Sequence, residues 1–252
     1  MTFGEFLKYV LLLIFFPRSL KTMEWRMLRL LNKDRKKNGG LAPVAMQEDL
    51  REVARKHSRD MAEKDYFAHV NLKGKSPFDR LAMAGVSDVI AGENLAKIGG
   101  YPNATQRAET GLMNSPGHRA NILNPAYNAV GIGVIKSQTR IYYFTQNFAR
   151  RELVFKTKIR QVVRLQKGLR LEGAAFADVK TVFYQLRFPG QSQALQEKLI
   201  PIRDGHFEVT LSFPHVGLYE ILLFVGLHRS GNFALANRFE VRAVKGFWAT
   251  IF

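Results

Sequence analysis

The chain has 252 residues, 46% of them hydrophobic, with 6 histidines, no cysteine and a formal net charge of +17. The apolar content suffices for packed cores and excludes an intrinsically disordered chain, and the length favours two domains. The lack of cysteine excludes disulfides, thiolate metal sites and a cysteine nucleophile.

The chain opens with an apolar run, YVLLLIFF, at residues 9–16, which follows Lys8 and ends at Pro17 and Arg18. It is too short to cross a bilayer as a helix, which needs ~20 apolar residues. Its length fits the hydrophobic region of a signal peptide, although no A-x-A cleavage site follows. We predict that residues 1–22 are a signal peptide or an N-terminal hydrophobic segment. A buried or amphipathic helix is the alternative.

The next region, residues 23–150, is predicted to alternate helices and strands. One helix is predicted at residues 23–37, where Asn38-Gly39-Gly40 supplies the stop signal. The clearest helix is predicted at residues 47–64, and His57 lies in its apolar stripe, so we expect a core histidine there. Two shorter helices are predicted at residues 77–84 and 105–113. A hairpin is predicted with its strands at residues 127–135 and 140–148.

The last region, residues 151–252, changes to short strands separated by turn signals. Phe207, Val209 and Leu211 alternate with polar neighbours, as expected of a strand with one buried face. The region is predicted to be an all-β, immunoglobulin-like sandwich. Strands are predicted at residues 153–163, 169–176, 179–188, 206–213, 218–227 and 233–244.

Three polar segments interrupt the apolar runs of residues 23–150: FAHVN at 67–71, AGENLA at 91–96 and LMNSPGHRANILNP at 112–125. Ser115 and Pro116 have the pattern of an N-cap and a first helical residue, which places His118 in the first turn of a short helix. Because the amide groups there disfavour positive charge, His118 is predicted to be neutral. Glu93 is predicted to lie in a turn. Each segment alone could merely fix a loop, but the three together predict a shared cleft.

These segments and their neighbours resemble the CAP superfamily of cysteine-rich secretory proteins, venom antigens and pathogenesis-related type 1 proteins, and within it the bacterial SCP-like extracellular subgroup. The resemblance implies an α+β fold: residues 23–150 as the CAP α-β-α sandwich with a central antiparallel sheet, followed by the β-sandwich. It also implies an extracellular or cell-envelope location. The matching pieces run in family order: LLNKDRKKNGGLAPV, QEDLREVARKHSRDMAEKDYFAHVN, GKSPFDRLAMAGV, AGENLA, LMNSPGHRANILNP, YNAVGIGV and YYFTQNF.

The resemblance further implies a cleft lined by two histidines and two acids. His69 matches the first histidine and Glu93 matches the acid of the G-E-N motif. The W-x-x-E motif is absent, since residues 112–115 read LMNS, and G-H-Y-T-Q is replaced by YYFTQ at residues 142–146. His118 is the local substitute for the second histidine. The predicted cleft residues are His69, Glu93, His118, Asn94, Ser115, Glu109, Tyr143 and Gln146.

Two imidazoles and one carboxylate suit a divalent ion such as zinc, with water as a fourth ligand, so His69, Glu93 and His118 form a candidate metal site. We expect a secreted or envelope-associated protein that binds a small ligand, a metal ion or a cell-wall component in this cleft. The alternative is a metal-assisted hydrolase acting on peptide or peptidoglycan. Ser115 also suggests a serine hydrolase, but N-capping explains it and no nucleophile elbow is present.

The positive charge is spread along the chain, with +10 in residues 1–150 and +7 in residues 151–252. No helix-turn-helix, zinc-finger or RNP-like pattern accompanies it, which disfavours nucleic acid as a partner. The charge instead predicts attraction to cell-wall or membrane polyanions. The oligomeric state stays open.

Overall fold

The structure is a computed structural model that describes residues 19–99, 103–176, 179–227 and 233–246. The chain forms two compact units: unit 1 combines residues up to Pro77 with Gly92–Phe148, and unit 2 combines Phe78–Ala91 with the chain from Ala149 onward. The apolar run at residues 9–16 lies outside the described residues. Within the described ranges, no helix is both long and apolar enough to cross a membrane.

The first half of the chain mixes helices and strands, which confirms the α+β prediction for this region. The predicted helices and hairpin strands are found within three residues of their predicted ends, and β1 and β2 were not predicted. In order, the elements are α1 Leu20–Lys37, β1 Ala45–Met46, α2 Glu48–Lys64, α3 Pro77–Met83, β2 Ala91–Ile98, α4 Ala104–Asn114, α5 Pro116–Ile122, β3 Ala129–Lys136 and β4 Tyr142–Ala149.

The sheet of unit 1 has the strand order β1-β3-β4-β2. The prediction of an antiparallel sheet is wrong in one respect, because β1 pairs parallel with β3, with Ala45 opposite Ala129. The two-residue β1 is too short to give a strand pattern of its own, so its pairing could not be anticipated. The predicted turn around Glu93 is also wrong, because Glu93 lies within β2.

Helices cover both faces of this sheet, because the side chains of β3 alternate between them. Val130, Ile132 and Val134 point to one face and share a buried core with residues of α1, α4 and α5. The glycines between them, Gly131 and Gly133, face α2. The sheet is therefore the middle of three layers.

Helix α2 approaches β3 more closely than any side chain would permit. A Cβ atom added to Gly131 would lie 2.1 Å from the backbone carbon of Leu50, and one added to Gly133 would lie 2.3 Å from the backbone nitrogen of Arg55. Both are far below van der Waals contact. The sequence G-I-G of β3 is therefore the condition for seating α2 on the sheet.

A buried arginine joins α1 to the segment after α5. The Arg35 guanidinium donates hydrogen bonds to the backbone carbonyls of Ala42, Ile122, Asn124 and Tyr127. Burial lowers the pKa of this guanidinium. These bonds satisfy the charged group and hold the chain between α5 and β3 in place.

Unit 2 consists of α3 and strands that form two sheets, with orders β10-β11-β7-β5 and β6-β13-β12-β8-β9. Leu171 and Phe207 from the first sheet and Ile221 and Leu223 from the second belong to one buried core. The strands are β5 Leu153–Phe155, β6 Val162–Arg164, β7 Leu169–Ala175, β8 Val179–Arg187, β9 Gln196–Ile200, β10 Ile202–Arg203, β11 His206–Leu211, β12 Gly217–Leu227 and β13 Phe233–Val244.

The strand predictions for unit 2 hold except at one place. The single strand predicted at residues 153–163 is two short strands, β5 and β6, which belong to different sheets. Leu153, Ile159 and Val163 all belong to the shared core, so apolar residues recur along this segment although the chain crosses from one sheet to the other. The short strands β9 and β10 were not predicted.

A buried tyrosine fixes the entry to β12. The Tyr219 hydroxyl donates a hydrogen bond of 2.8 Å to the backbone carbonyl of His215, four residues upstream. The ring packs against Phe188 and Phe213 at centroid distances of 5.4 Å and 5.1 Å. The corner between β11 and β12 is thus tied to the core.

The close approach of α2 and β3 predicts the effect of two glycine substitutions. Gly133→Ala should lower the free energy of unfolding of unit 1 by about 2 kcal/mol or more, because the new methyl group meets backbone rather than a flexible side chain. Gly111→Ala is the matched control, since a Cβ there meets nothing within 4 Å. In the interior of α4 it should stabilise by ~0.5–1 kcal/mol. Urea unfolding of both variants gives the comparison, and equal stabilities would contradict the packing argument.

Candidate functional site

The loop that follows α2 carries the first candidate histidine. Helix α2 ends at Asp65, whose backbone is left-handed with φ of 46°. His57, buried on α2, then donates from Nε2 to the backbone carbonyl of Ala68 at 3.0 Å. The core histidine therefore fixes the backbone immediately before His69.

His69 and Glu93 form the centre of the site. His69 Nδ1 lies 2.8 Å from Glu93 Oε1, and the side chains are 49% and 2% exposed, respectively. The imidazole thus stands at the surface while the carboxylate that holds it is buried. In the neutral ring, donation from Nδ1 to the carboxylate places the lone pair on Nε2.

Glu93 is held from behind by neighbouring elements. With the Asn147 amide oriented so that both of its polar atoms find partners, its nitrogen donates to Glu93 Oε2 at 3.2 Å and its oxygen accepts from the Ala54 N–H. Next to Glu93, Gly92 lies against Tyr127, whose hydroxyl would be 2.5 Å from an added Cβ. The contact of Asn147 with the Glu93 carboxylate and the contact of Tyr127 with Gly92 therefore hold this part of β2 in place.

His118 lies in α5, at the position predicted from Ser115 and Pro116. Ser115 is the N-cap residue of α5 and Pro116 its first residue, as predicted, but the Ser115 hydroxyl makes no capping hydrogen bond. It lies 2.9 Å from His118 Nδ1 instead. Burial lowers the pKa of His118, and the charge that His69 can carry lowers it further. The neutral form predicted for His118 is favoured, but burial rather than the helix terminus is the main cause.

The structure brings the three candidate ligands into one region but does not arrange them around one point. Glu93 faces His69 directly, and His118 is near enough to His69 for their charges to interact. Among the described residues, no group of three or more His, Asp or Glu side chains is placed to hold a metal ion. A zinc ion would need the His69–Glu93 contact to open, so this geometry does not fit a zinc site as it stands.

A chain of buried amides connects β2, α5, β4 and α4 behind the histidines. Asn121 donates to Asn94 Oδ1 at 2.9 Å, and Asn94 donates to the His118 carbonyl at 3.0 Å and to Gln146 Oε1 at 3.1 Å. Gln146 in turn donates to Glu109 Oε2 at 2.9 Å. The predicted residues Asn94, Gln146 and Glu109 therefore support the site from inside and position the backbone of His118.

Glu109 is the buried end of this chain. Burial raises the pKa of its carboxyl to about 8, against the opposing hydrogen bond from Gln146, and the charge of Asp34 adds to the increase. Its Oε1 atom finds no hydrogen-bond partner among the described residues. At neutral pH the carboxyl is therefore mostly protonated.

Tyr143 belongs to a different cluster, although it was predicted to line the cleft. Its buried ring packs with Met61 and Leu95, and its hydroxyl donates to Asp65 at 3.3 Å. Gln146 lies three residues further along β4 and points to the opposite face, because side chains alternate along a strand.

Three residues that support the site were not predicted to do so: Asn121, Asn147 and His57. The signal for Asn121 was its position three residues after His118, which puts both side chains on one side of a short helix. His57 was correctly predicted to be buried, but its bond to Ala68 depends on the path of the loop. Asn147 follows Gln146 in β4 and reaches Glu93 only through the strand order.

In comparison with known proteins, residues 28–148 match the sequence model of the cysteine-rich secretory protein family, CAP. The chain is 39% identical over 132 residues to the uncharacterized protein YkwD of Bacillus subtilis (strain 168), covering 52% of this chain and 49% of that protein. It is 41% identical over 130 residues to the uncharacterized membrane protein YlbC of the same organism, covering 52% and 35%. The match thus spans half or less of each relative.

Two solved structures are similar to part of this chain. An extracellular protein containing an SCP domain from Bacillus anthracis str. Ames is 31% identical, with a TM-score of 0.47, and the alignment covers 54% of this chain and 44% of that one. An outer surface protein from Borrelia burgdorferi is 22% identical, with a TM-score of 0.48 and coverages of 53% and 96%.

The raised pKa of Glu109 predicts a pH-dependent stability for unit 1. The folded state prefers the protonated carboxyl, so its contribution is complete below the unfolded pKa of ~4.3 and is lost as pH rises toward about 8. Between these values the slope approaches about 1.4 kcal/mol per pH unit. Glu109→Gln, which stays neutral, should remove this slope.

Urea unfolding at several values between pH 5 and pH 9, followed by Trp25 fluorescence in a Trp248→Phe background, measures the difference between the two proteins. Other titrating groups contribute equally to both and cancel. Parallel stability curves for the unmodified chain and the Glu109→Gln variant would show that the carboxyl is ionised in the folded state.

Proposed function

Because residues 28–148 form a CAP domain of the bacterial SCP-like kind, we propose that this chain is a secreted or envelope-associated protein that binds a small ligand or cell-wall component through His69, Glu93 and His118. The hydrogen bond between half-exposed His69 and buried Glu93 carries the proposal. Two observations support the proposed secreted or envelope location: the similarity to the CAP family and the apolar run at residues 9–16. The activities of whole relatives do not transfer directly, because the match covers only part of each.

The chemistry of the site supports a polar ligand. His69 presents a ring whose orientation is set by a buried carboxylate, and His118 presents a second ring that is mostly neutral near pH 7. Neutral imidazoles both donate and accept hydrogen bonds, which suits hydroxyl, amide and carboxylate groups. Cell-wall glycans and peptides carry all three groups.

We infer that unit 2 is an immunoglobulin-like sandwich that serves as a docking or spacing module. Two observations support this. The sheet orders are consistent with β10, β11, β7 and β5 corresponding to strands D, E, B and A of that fold, and β13, β12 and β8 to strands G, F and C. Tyr219 at the start of β12 bonds back to His215 in the manner of the tyrosine corner of that fold.

A hydrolase is the second candidate function, favoured by the contact between Ser115 Oγ and His118 Nδ1 at 2.9 Å. A neutral histidine beside a hydroxyl can accept its proton and so activate it for attack on a peptide or peptidoglycan bond.

Retention on isolated peptidoglycan sacculi tests the binding function. At moderate salt, which screens general charge attraction, we expect the full chain to be retained. Glu93→Gln and His69→Gln should reduce retention about tenfold, because each removes the charge-assisted bond that orients the ring. Lys73→Gln, an exposed change in the same loop, is the control. No retention of the unmodified chain, or equal retention of all four proteins, would rule the function out.

Zinc titration and turnover assays test the metal and the hydrolase together. Calorimetric zinc affinity should fall as pH drops through about 6, because protonated imidazole does not bind metal, and His118→Ala should weaken it. Cleavage of peptide and cell-wall substrates is measured with and without zinc. If the chain shows no more turnover than the double variant Glu93→Gln, His118→Ala, the hydrolase function is excluded while the binding function still stands.

A further inference from the structure

Helix α1 exposes a strongly basic face. At 100° per residue, its basic side chains outside the core fall within one sector of about 160°. The two acids of the helix lie elsewhere: Glu24 is buried and Asp34 is half-buried. The basic residues of this face are Lys21, Arg26, Arg29, Lys33, Lys36 and Lys37.

These charges are not neutralised within unit 1. In the ranges that the structure describes, none of the six forms an ion pair, whereas Arg51 and Arg55 of α2 are both paired with Glu24 and Glu48. A further basic residue, Arg119 of α5, donates a hydrogen bond of 2.9 Å to the side-chain oxygen of Asn38, the C-cap residue of α1. The face therefore presents an uncompensated positive field along the ~27 Å of the helix.

An aromatic side chain stands on the same face. Trp25 is 47% exposed, with its ring 5.6 Å from the Arg51 guanidinium. Tryptophan is favoured at the boundary between lipid headgroups and acyl chains, because one end of its ring is polar and the rest is apolar. A cluster of basic side chains beside an exposed tryptophan suits a surface that docks on anionic lipid headgroups.

The position of α1 in the chain points the same way. The apolar run at residues 9–16 ends four residues before Leu20, the first residue of the helix. A short apolar segment next to basic residues is the combination that holds peripheral proteins on bilayers, since neither signal alone binds stably. We propose that the exposed face of α1 docks on an anionic phospholipid bilayer.

The charge count sets the size of the effect. Each lysine or arginine near an anionic bilayer contributes about fivefold in affinity, which corresponds to ~1 kcal/mol. Removing four of the six charges should therefore weaken vesicle binding by at least about 100-fold. The contribution should also decline with added salt, because the charges are exposed and screened.

Cosedimentation of the full chain with vesicles tests the proposal. The vesicles contain phosphatidylcholine alone or phosphatidylcholine mixed with phosphatidylglycerol. We expect binding to the anionic vesicles, and loss of that binding in the quadruple variant Arg29→Gln, Lys33→Gln, Lys36→Gln, Lys37→Gln. Glutamine keeps helix propensity and the core face is untouched.

A matched variant separates this face from net charge. Arg160→Gln, Lys167→Gln, Lys180→Gln, Lys198→Gln removes the same charges from exposed positions in unit 2 and should bind like the unmodified chain. Trp25 emission in the Trp248→Phe background should shift to the blue on anionic vesicles only. If circular dichroism shows that the α1 variant is unfolded, the Trp25 shift and its reversal by salt decide the question.

Three results would overturn the proposal. Equal binding to neutral and anionic vesicles would assign the interaction to the apolar run. Equal losses in the two quadruple variants would assign it to net charge. Tighter binding of the α1 face to duplex DNA or to a soluble polyphosphate than to vesicles would assign it to a different partner. Loss of cleft binding to sacculi affects none of these readouts.

Discussion

The seating of α2 on β3 is the constraint on which unit 1 depends. Helix and strand backbones meet where Gly131 and Gly133 leave no side chain between them. This approach sets the height of α2 over the sheet and therefore the place where Asp65 turns the chain away. The loop from Asp65 can then bring Ala68 to His57 and His69 to Glu93. The packing of α2 on β3 involves no residue of the candidate site, yet it positions His69 against Glu93.

The polar groups of the interior divide into those that fix the backbone and those that reach the site. Arg35 belongs to the first kind, since it is buried and bonds to carbonyls rather than to a carboxylate. A buried charge is expensive unless its hydrogen-bonding capacity is used, and four carbonyls use it. The amide chain through Asn94 and Gln146 is the second kind, because Asn94 holds the His118 carbonyl.

Burial and exposure alternate at the site in a way that suits recognition. The carboxylate of Glu93 and the amides behind it are buried and rigid, while the ring of His69 reaches solvent. Orientation is fixed before a ligand arrives, so little conformational entropy is lost on binding. The basic face of α1 works differently, because long flexible side chains act through a field and need no fixed geometry. Unit 1 therefore combines a candidate site of fixed geometry, at His69 and Glu93, with a basic surface that acts through its charge alone.

The sequence by itself determined the longer helices and strands and the identity of the central residues. Helical spacing located α2, glycine and polar turns separated the strands of unit 2, and the segments around His69, Glu93 and His118 indicated a shared site. These signals are local, so a single sequence contains them. Only the tertiary structure showed that Glu93 lies in a strand, that the hydroxyl of the N-cap residue Ser115 contacts His118 and makes no capping bond, and that Tyr143 points away from Gln146. Each of these depends on which strands are neighbours and how closely α2 approaches β3, and such long-range geometry leaves no periodic trace in the chain.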